Sequence, residues 1–170
     1  AEGARVSLVS RSAANLANAC TQLTAFDPSR IQTFAADLTQ ADAAVAALNA
    51  AKAGFGDVDV LVNSAGAAKR TPAPELSPQA WQDAMQAKYF SYIHMIDPVI
   101  KQMAQRGKGS IVNVVGNGGK VASPIHLAGG AANAALMLAT AGLANAYASQ
   151  GIRVNGINPG LTRTDRLKEG

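Results

Sequence analysis

Short apolar, β-branched runs alternate along this chain with longer segments of helical period, and small or turn-forming residues separate them. The runs are residues 5–9, 31–35, 58–62, 111–115 and 152–157. Residues 111–115, apolar but for Asn113 and bounded by glycines, have the pattern of a strand buried on both faces, as in a parallel sheet. Between the runs, residues 12–23, 41–53, 77–105 and 127–149 predict helices. Ser77 is suited to cap the start of the third helix, Gly151 to close the fourth, and Pro159-Gly160 to turn the chain after the last strand. A strand, a helix and a strand joined by short loops form a right-handed crossover unit, so the expected class is α/β.

Composition narrows this picture. With 170 residues, 48% apolar and 15% charged, the chain has the length and core-forming capacity of one domain, expected to span residues 1–170. A net charge of +4 is mildly basic. Lys101, Arg106 and Lys108 form only a helix-end group without interleaved aromatics, so nucleic acid is not an expected partner. Cys20 is the only cysteine, which excludes an internal disulfide framework and suits a reducing compartment. Its neighbours Leu16 and Leu23 make it a small core residue rather than a nucleophile. No apolar run is read as approaching the ~20 residues needed to cross a bilayer, and the N-terminus shows no charged-then-apolar leader. The expected setting is cytoplasmic, without membrane contact. No metal site is expected.

Four stretches carry a resemblance. IVNVVG at 111–116, GGAANAAL at 129–136, GIRVNGINPG at 151–160 and the later Thr164 resemble the short-chain dehydrogenase/reductase family. That family reads IVNxSS, YxASKAAL, GIRVNxIxPG and Thr in corresponding places. The resemblance implies a Rossmann fold, a doubly wound parallel sheet in three α/β/α layers with strand order 3-2-1-4-5-6. Residues 5–9 then correspond to the family's second strand, and its first strand and glycine-rich turn have no counterpart here. The domain is expected to be incomplete at its N-terminus and its C-terminus, with strands 5–9 and 58–62 flanking a gap.

The same resemblance bears on chemistry. In the family a tyrosine moves the substrate hydroxyl proton, a lysine lowers its pKa, a serine polarises the carbonyl and an asparagine holds a water relay. Here Gly116 stands at the serine position, Gly129 at the tyrosine position, Asn133 at the lysine position and Lys88 at the asparagine position. The usual tetrad is absent. Lys and Asn look exchanged between facing elements, either by chance or as a rearranged polar site with its cation on the other wall. In the second case Lys88 points into the cleft beside Asn63, Gly116 and Gly129, within reach of Asn133. His126 and Tyr92 are then candidate proton carriers, although His126 equally suits a loop residue facing water. Lys88, Asn133 and His126 are the candidate catalytic residues.

For the cofactor, the resemblance implies that Ser10 and Arg11 meet the adenosine ribose, that Asp37 and Leu38 bracket the adenine, and that Asn63, Ala65, Gly66, Pro159, Gly160, Leu161 and Thr164 line the rest. Asp37 or Thr39 is also placed to cap the following helix. An acidic residue at position 10 would bond the ribose hydroxyls of NAD, whereas an arginine suits the NADP phosphate. NADP is the expected cofactor and NAD the alternative. Three functions follow: an NAD(P)-dependent oxidoreductase with a divergent site acting on a carbonyl or alcohol; a catalytically silent dinucleotide-binding protein serving as sensor or oligomer partner; or an interaction domain that binds no nucleotide. A homo-dimer or tetramer through helices 77–105 and 127–149 is expected.

Overall fold

The computed structural model describes residues 3–23, 27–66 and 68–160. Five parallel strands form: β1 (Val6–Ser10), β2 (Ile31–Ala35), β3 (Val60–Asn63), β4 (Gly109–Val114) and β5 (Ile152–Ile157). Helices α1 (Ala13–Gln22) and α2 (Ala41–Phe55) flank β2 in the chain. Helices α3 (Pro78–Ala84) and α4 (Ser91–Arg106) lie between β3 and β4, and α5 (Leu127–Tyr147) links β4 to β5. The fold is the Rossmann-like α/β arrangement that the alternation predicts.

The strands divide into a β1-β2 pair and a β3-β4-β5 sheet. Strands β1 and β3 are not hydrogen-bonded to each other, as strand order 2-1-gap-3-4-5 in these labels requires. Between them lies a cleft of about 780 Å³ lined by Val6, Leu8, Val60, Val62, Tyr92 and Val99, among others. Val60 and Val62 of β3 are each 58% exposed there. The two sheets are joined by α2 against α4. Ala44 and Leu48 pack with Tyr92, Met95, Ile96 and Val99 in one core, and His94 Nδ1 lies 3.0 Å from the Leu38 carbonyl oxygen.

The structure differs from the sequence reading in three places. The single helix expected over 77–105 is three: after α3 the chain makes a π turn, Met85–Phe90, and α4 then continues past Pro98. Ser77 does cap α3, accepting from the Ala80 amide. Neither Asp37 nor Thr39 caps α2; Gln40 holds that position without a side-chain bond. The Asp37 carboxylate instead accepts from the Thr39 amide at 3.0 Å and hydroxyl at 2.8 Å, closing a turn. Finally, the helical segment Leu127–Gln150, 24 residues, is by length and composition apolar enough to cross a membrane. Its alanines and glycines escape the eye as an apolar run. Ala128, Ala132 and Leu136 on this helix are buried.

Candidate active site

The carboxyl ends of β3 and β4 and the first turns of α5 bring His126, Asn133, Gly116 and Gly129 close together. Parallel register places Asn63 of β3 opposite Asn113 of β4. Asn63 Nδ2 donates to Asn113 Oδ1 at 3.0 Å, Asn113 Nδ2 donates to Thr140 Oγ1 at 2.9 Å, and that hydroxyl donates to the Leu136 carbonyl at 2.7 Å. All three side chains are buried, so this line of satisfied amides pins β3, β4 and α5 in one register. The Asn63 side chain is thereby committed to the protein.

Beyond β4 the backbone turns at Gly116 with φ +122°, a conformation side chains rarely adopt, and a β-carbon there would meet Asn133 Nδ2 at 3.3 Å. Asn133 is buried on α5, and its Oδ1 has no hydrogen-bond partner among the described residues. His126 immediately precedes α5 and does not cap it with its side chain. Its ring occupies the space over Gly129. A β-carbon at Gly129 would come within 2.6 Å of His126 Nε2 and 2.9 Å of Ala68 Cβ. One at Gly118 would come within 3.2 Å of His126 Cδ2. The imidazole therefore sits between two glycines and is only partly exposed. The loop bearing it is tied to the loop after β3 by the Thr71 amide, which donates to the Ile125 carbonyl at 3.1 Å.

Lys88 lies in the π turn and points inward, only 7% exposed. Its Nζ donates to the Tyr92 hydroxyl at 2.8 Å and to the Val114 carbonyl at 3.0 Å, and stands 4.5 Å from the centre of the Tyr92 ring. The orientation along the helix to solvent is excluded. π turns insert a residue into the helix and are frequent at functional sites. Here the turn is stabilised by Ser91, whose hydroxyl reaches the Ala87 carbonyl at 3.0 Å and the Lys88 carbonyl at 3.2 Å. Tyr92 Oη donates to the same Val114 carbonyl at 2.8 Å. Burial pushes its phenol well above the ordinary tyrosine range, so it stays protonated and serves to position Lys88.

The expected cofactor residues fall in two groups. Ser10 closes β1, and its carbonyl accepts from the Ala36 amide at 3.0 Å. Arg11 is exposed beside it, and its charge reaches Asp37. The Asp37 carboxyl is held below its usual range, chiefly by the Thr39 backbone and side-chain bonds and least by Arg11. Leu38 is partly buried against the core. In the second group, Ala65 and Gly66 follow Asn63. Gly66 has φ +97°, and a β-carbon there would strike the Ala87 carbonyl, so the loop lies directly on the π turn. Pro159 and Gly160 follow β5. Leu161 and Thr164 lie outside the described residues. Among the described residues no group of His, Cys, Asp and Glu is placed to hold a metal.

Sequence reasoning passed over four residues that shape this site: Ala68, Ser91, Asn113 and Thr140. Asn113 stood inside the quoted IVNVVG motif without a role. Ser91 carries no signal, because an i→i+5 turn has no sequence signature of its own.

Comparison with known proteins fits this geometry. The family model described as short chain dehydrogenase matches residues 1–170. The chain belongs to the short-chain dehydrogenase/reductase family. It is 34% identical over 164 residues to D-threitol dehydrogenase of Mycolicibacterium smegmatis, covering 96% of this chain and 63% of that protein. It is 34% identical over 167 residues to the L-tagatose-forming galactitol 2-dehydrogenase of Cereibacter sphaeroides, covering 97% and 64%. Among solved structures it is similar to the NADPH-bound short chain oxidoreductase of Pseudomonas aeruginosa PAO1 that contains an atypical catalytic center. That similarity has TM-score 0.91 at 28% identity, covering 98% of this chain and 65% of that one. The chain thus spans less than two thirds of the length of these relatives.

Proposed function

We propose that this chain forms the site-bearing part of an NADP-preferring oxidoreductase in which His126, Lys88 and Asn133 replace the family's usual catalytic side chains. The observation that carries the reading is the His126 ring in the space over Gly129, where the resemblance puts a tyrosine. Decay of a site leaves a hole, whereas this one is refilled by a group able to give and take a proton near neutral pH. The similarity to an oxidoreductase with an atypical catalytic center supports it further.

The residues suit a nicotinamide dinucleotide. The buried Asn133 Oδ1, which has no hydrogen-bond partner among the described residues, offers an acceptor to a ribose hydroxyl. Arg11, with serine rather than a carboxylate at position 10, suits the extra phosphate of NADP, as does the NADPH-bound relative. When bound, the nicotinamide would supply or accept the hydride. His126 exchanges the proton of the substrate oxygen. Lys88 holds positive charge at the end of β4 and eases the build-up of negative charge on that oxygen.

Full-length protein is to be assayed with NADPH against ketones and aldehydes, and with NADP against the corresponding alcohols. The reading expects turnover that falls by about 10²–10⁴ in His126→Phe while dinucleotide binding is retained. Tight NADPH binding with no turnover of any of these would favour the silent, cofactor-sensing reading instead. We also propose a homo-dimer or tetramer through α4 and α5, supported by Leu138, which stands 77% exposed on the apolar α5.

A further inference from the structure

Three cations lie on the loops that border the His126 ring. Lys69 and Arg70 sit on the loop after β3, between Ala68, which abuts the Gly129–His126 contact, and Thr71, whose amide bonds Ile125. Lys120 ends the short turn Asn117–Gly119, whose Gly118 borders the other side of the His126 ring. All three are exposed, and none forms an ion pair or side-chain hydrogen bond among the described residues. Glu75, the nearest carboxylate along the first loop, pairs with neither Lys69 nor Arg70. The contrast with the opposite edge is clear, since Lys52, Arg106 and Lys108 there are matched by Asp57 and Asp59. Val121 and Ile125, exposed on the loop beside Lys120 and His126, add hydrocarbon to the mouth.

We infer that the site takes an anionic substrate, a carbonyl compound or its alcohol that also carries a carboxylate or phosphate, in preference to a neutral polyol. This rests on the oxidoreductase reading above and adds the substrate class to it. Unmatched like charges repel one another, and a cleft lined by one sign of charge concentrates ligands of the other sign. Lys69 and Arg70 on one side and Lys120 on the other would hold the anionic group at the rim, while the carbonyl lies against His126. Val121 and Ile125 would cover an apolar body between the two ends.

The test uses full-length protein saturated with NADPH and three short-chain probes: a 2-keto acid, its methyl ester, and a phosphorylated ketone. Binding is read by calorimetry and turnover by NADPH consumption. The inference expects the keto acid or the phosphorylated ketone to bind at least roughly tenfold tighter than the ester. That advantage should collapse in about 1 M salt, where the screening length is about 3 Å. Which of the two anions wins identifies the anionic group. In Lys69→Gln/Arg70→Gln the ratio of anion to ester affinity should fall roughly tenfold, with an unchanged melting temperature showing intact folding. Equal binding of ester and anions, no binding of either anion, or a ratio unmoved by the double variant overturns the inference. Anion binding without NADPH consumption keeps it and removes the oxidoreductase reading.

Discussion

His126 and Gly129 share one volume: the imidazole of the first lies where a side chain on the second would begin, with Nε2 2.6 Å from the place of a β-carbon. The glycine is required by the histidine. It lies in the middle of a helical turn, where glycine otherwise costs about 1 kcal/mol relative to alanine. Gly129→Ala should therefore not give the usual helix stabilisation. It should evict the ring, lower stability by about 1–3 kcal/mol, and remove whatever turnover depends on His126. A melting temperature that rises in Gly129→Ala would show that the ring is not held there.

Lys88 is buried against Val114 and Tyr92. Replacing a buried charge by an apolar chain of similar volume is often neutral or stabilising. Lys88→Met should keep or raise the unfolding free energy while abolishing turnover, or weakening dinucleotide binding if turnover is absent. Chemical denaturation paired with NADPH titration separates these effects. A loss of stability with activity intact would assign Lys88 a purely structural role.

The buried phenol of Tyr92 makes stability depend on pH at the alkaline end. Its folded pKa lies above the unfolded value near 10, so above about pH 10 the unfolded chain releases a proton that the folded one retains. The Tyr92 contribution is thus complete below that pH and is lost as pH rises further. Tyr92→Phe should cost about 1–2 kcal/mol at neutral pH, from the hydrogen bonds to Val114 and Lys88. It should also flatten the alkaline decline, which urea melts at graded pH would measure.

Asn113 joins two neighbours, so its removal is felt twice. Asn113→Leu leaves the Asn63 amide without its acceptor and the Thr140 hydroxyl without its donor. The expected loss is about 1–3 kcal/mol for each buried group left unsatisfied. Thr140→Val should cost less, because only one end of the line is cut. Equal costs for both variants would mean that the line is not a continuous unit.

Leu138 tests the proposed assembly. If α5 is a subunit interface, Leu138→Glu buries a carboxylate there and should shift full-length protein to monomer in sedimentation, with its fold unchanged by circular dichroism. A wild-type monomer, or an oligomer indifferent to Leu138→Glu, rejects that interface.

The chain order of elements was legible from residues alone, because short strand-forming runs alternate with longer segments of helical period. That β1 and β3 do not pair was legible as well, because residues 5–9 resemble the family's second strand and residues 58–62 its fourth. So was the absence of hydroxyl, phenol and amine at positions 116, 129 and 133, since that is a matter of residue identity. Tertiary structure decided what fills the space they leave. The inward turn of Lys88 depends on a π turn held by the Ser91 hydroxyl, and nothing in the local pattern distinguishes that from a regular helix. The meeting of His126 with Gly129 is a contact of three residues' separation whose outcome depends on a loop, fastened from Thr71, and on Ala68 behind it. Local period sets which face a residue belongs to. Only packing between segments far apart in the chain sets which side chain enters a cavity, because that choice is made by the volumes and hydrogen bonds of all its walls at once.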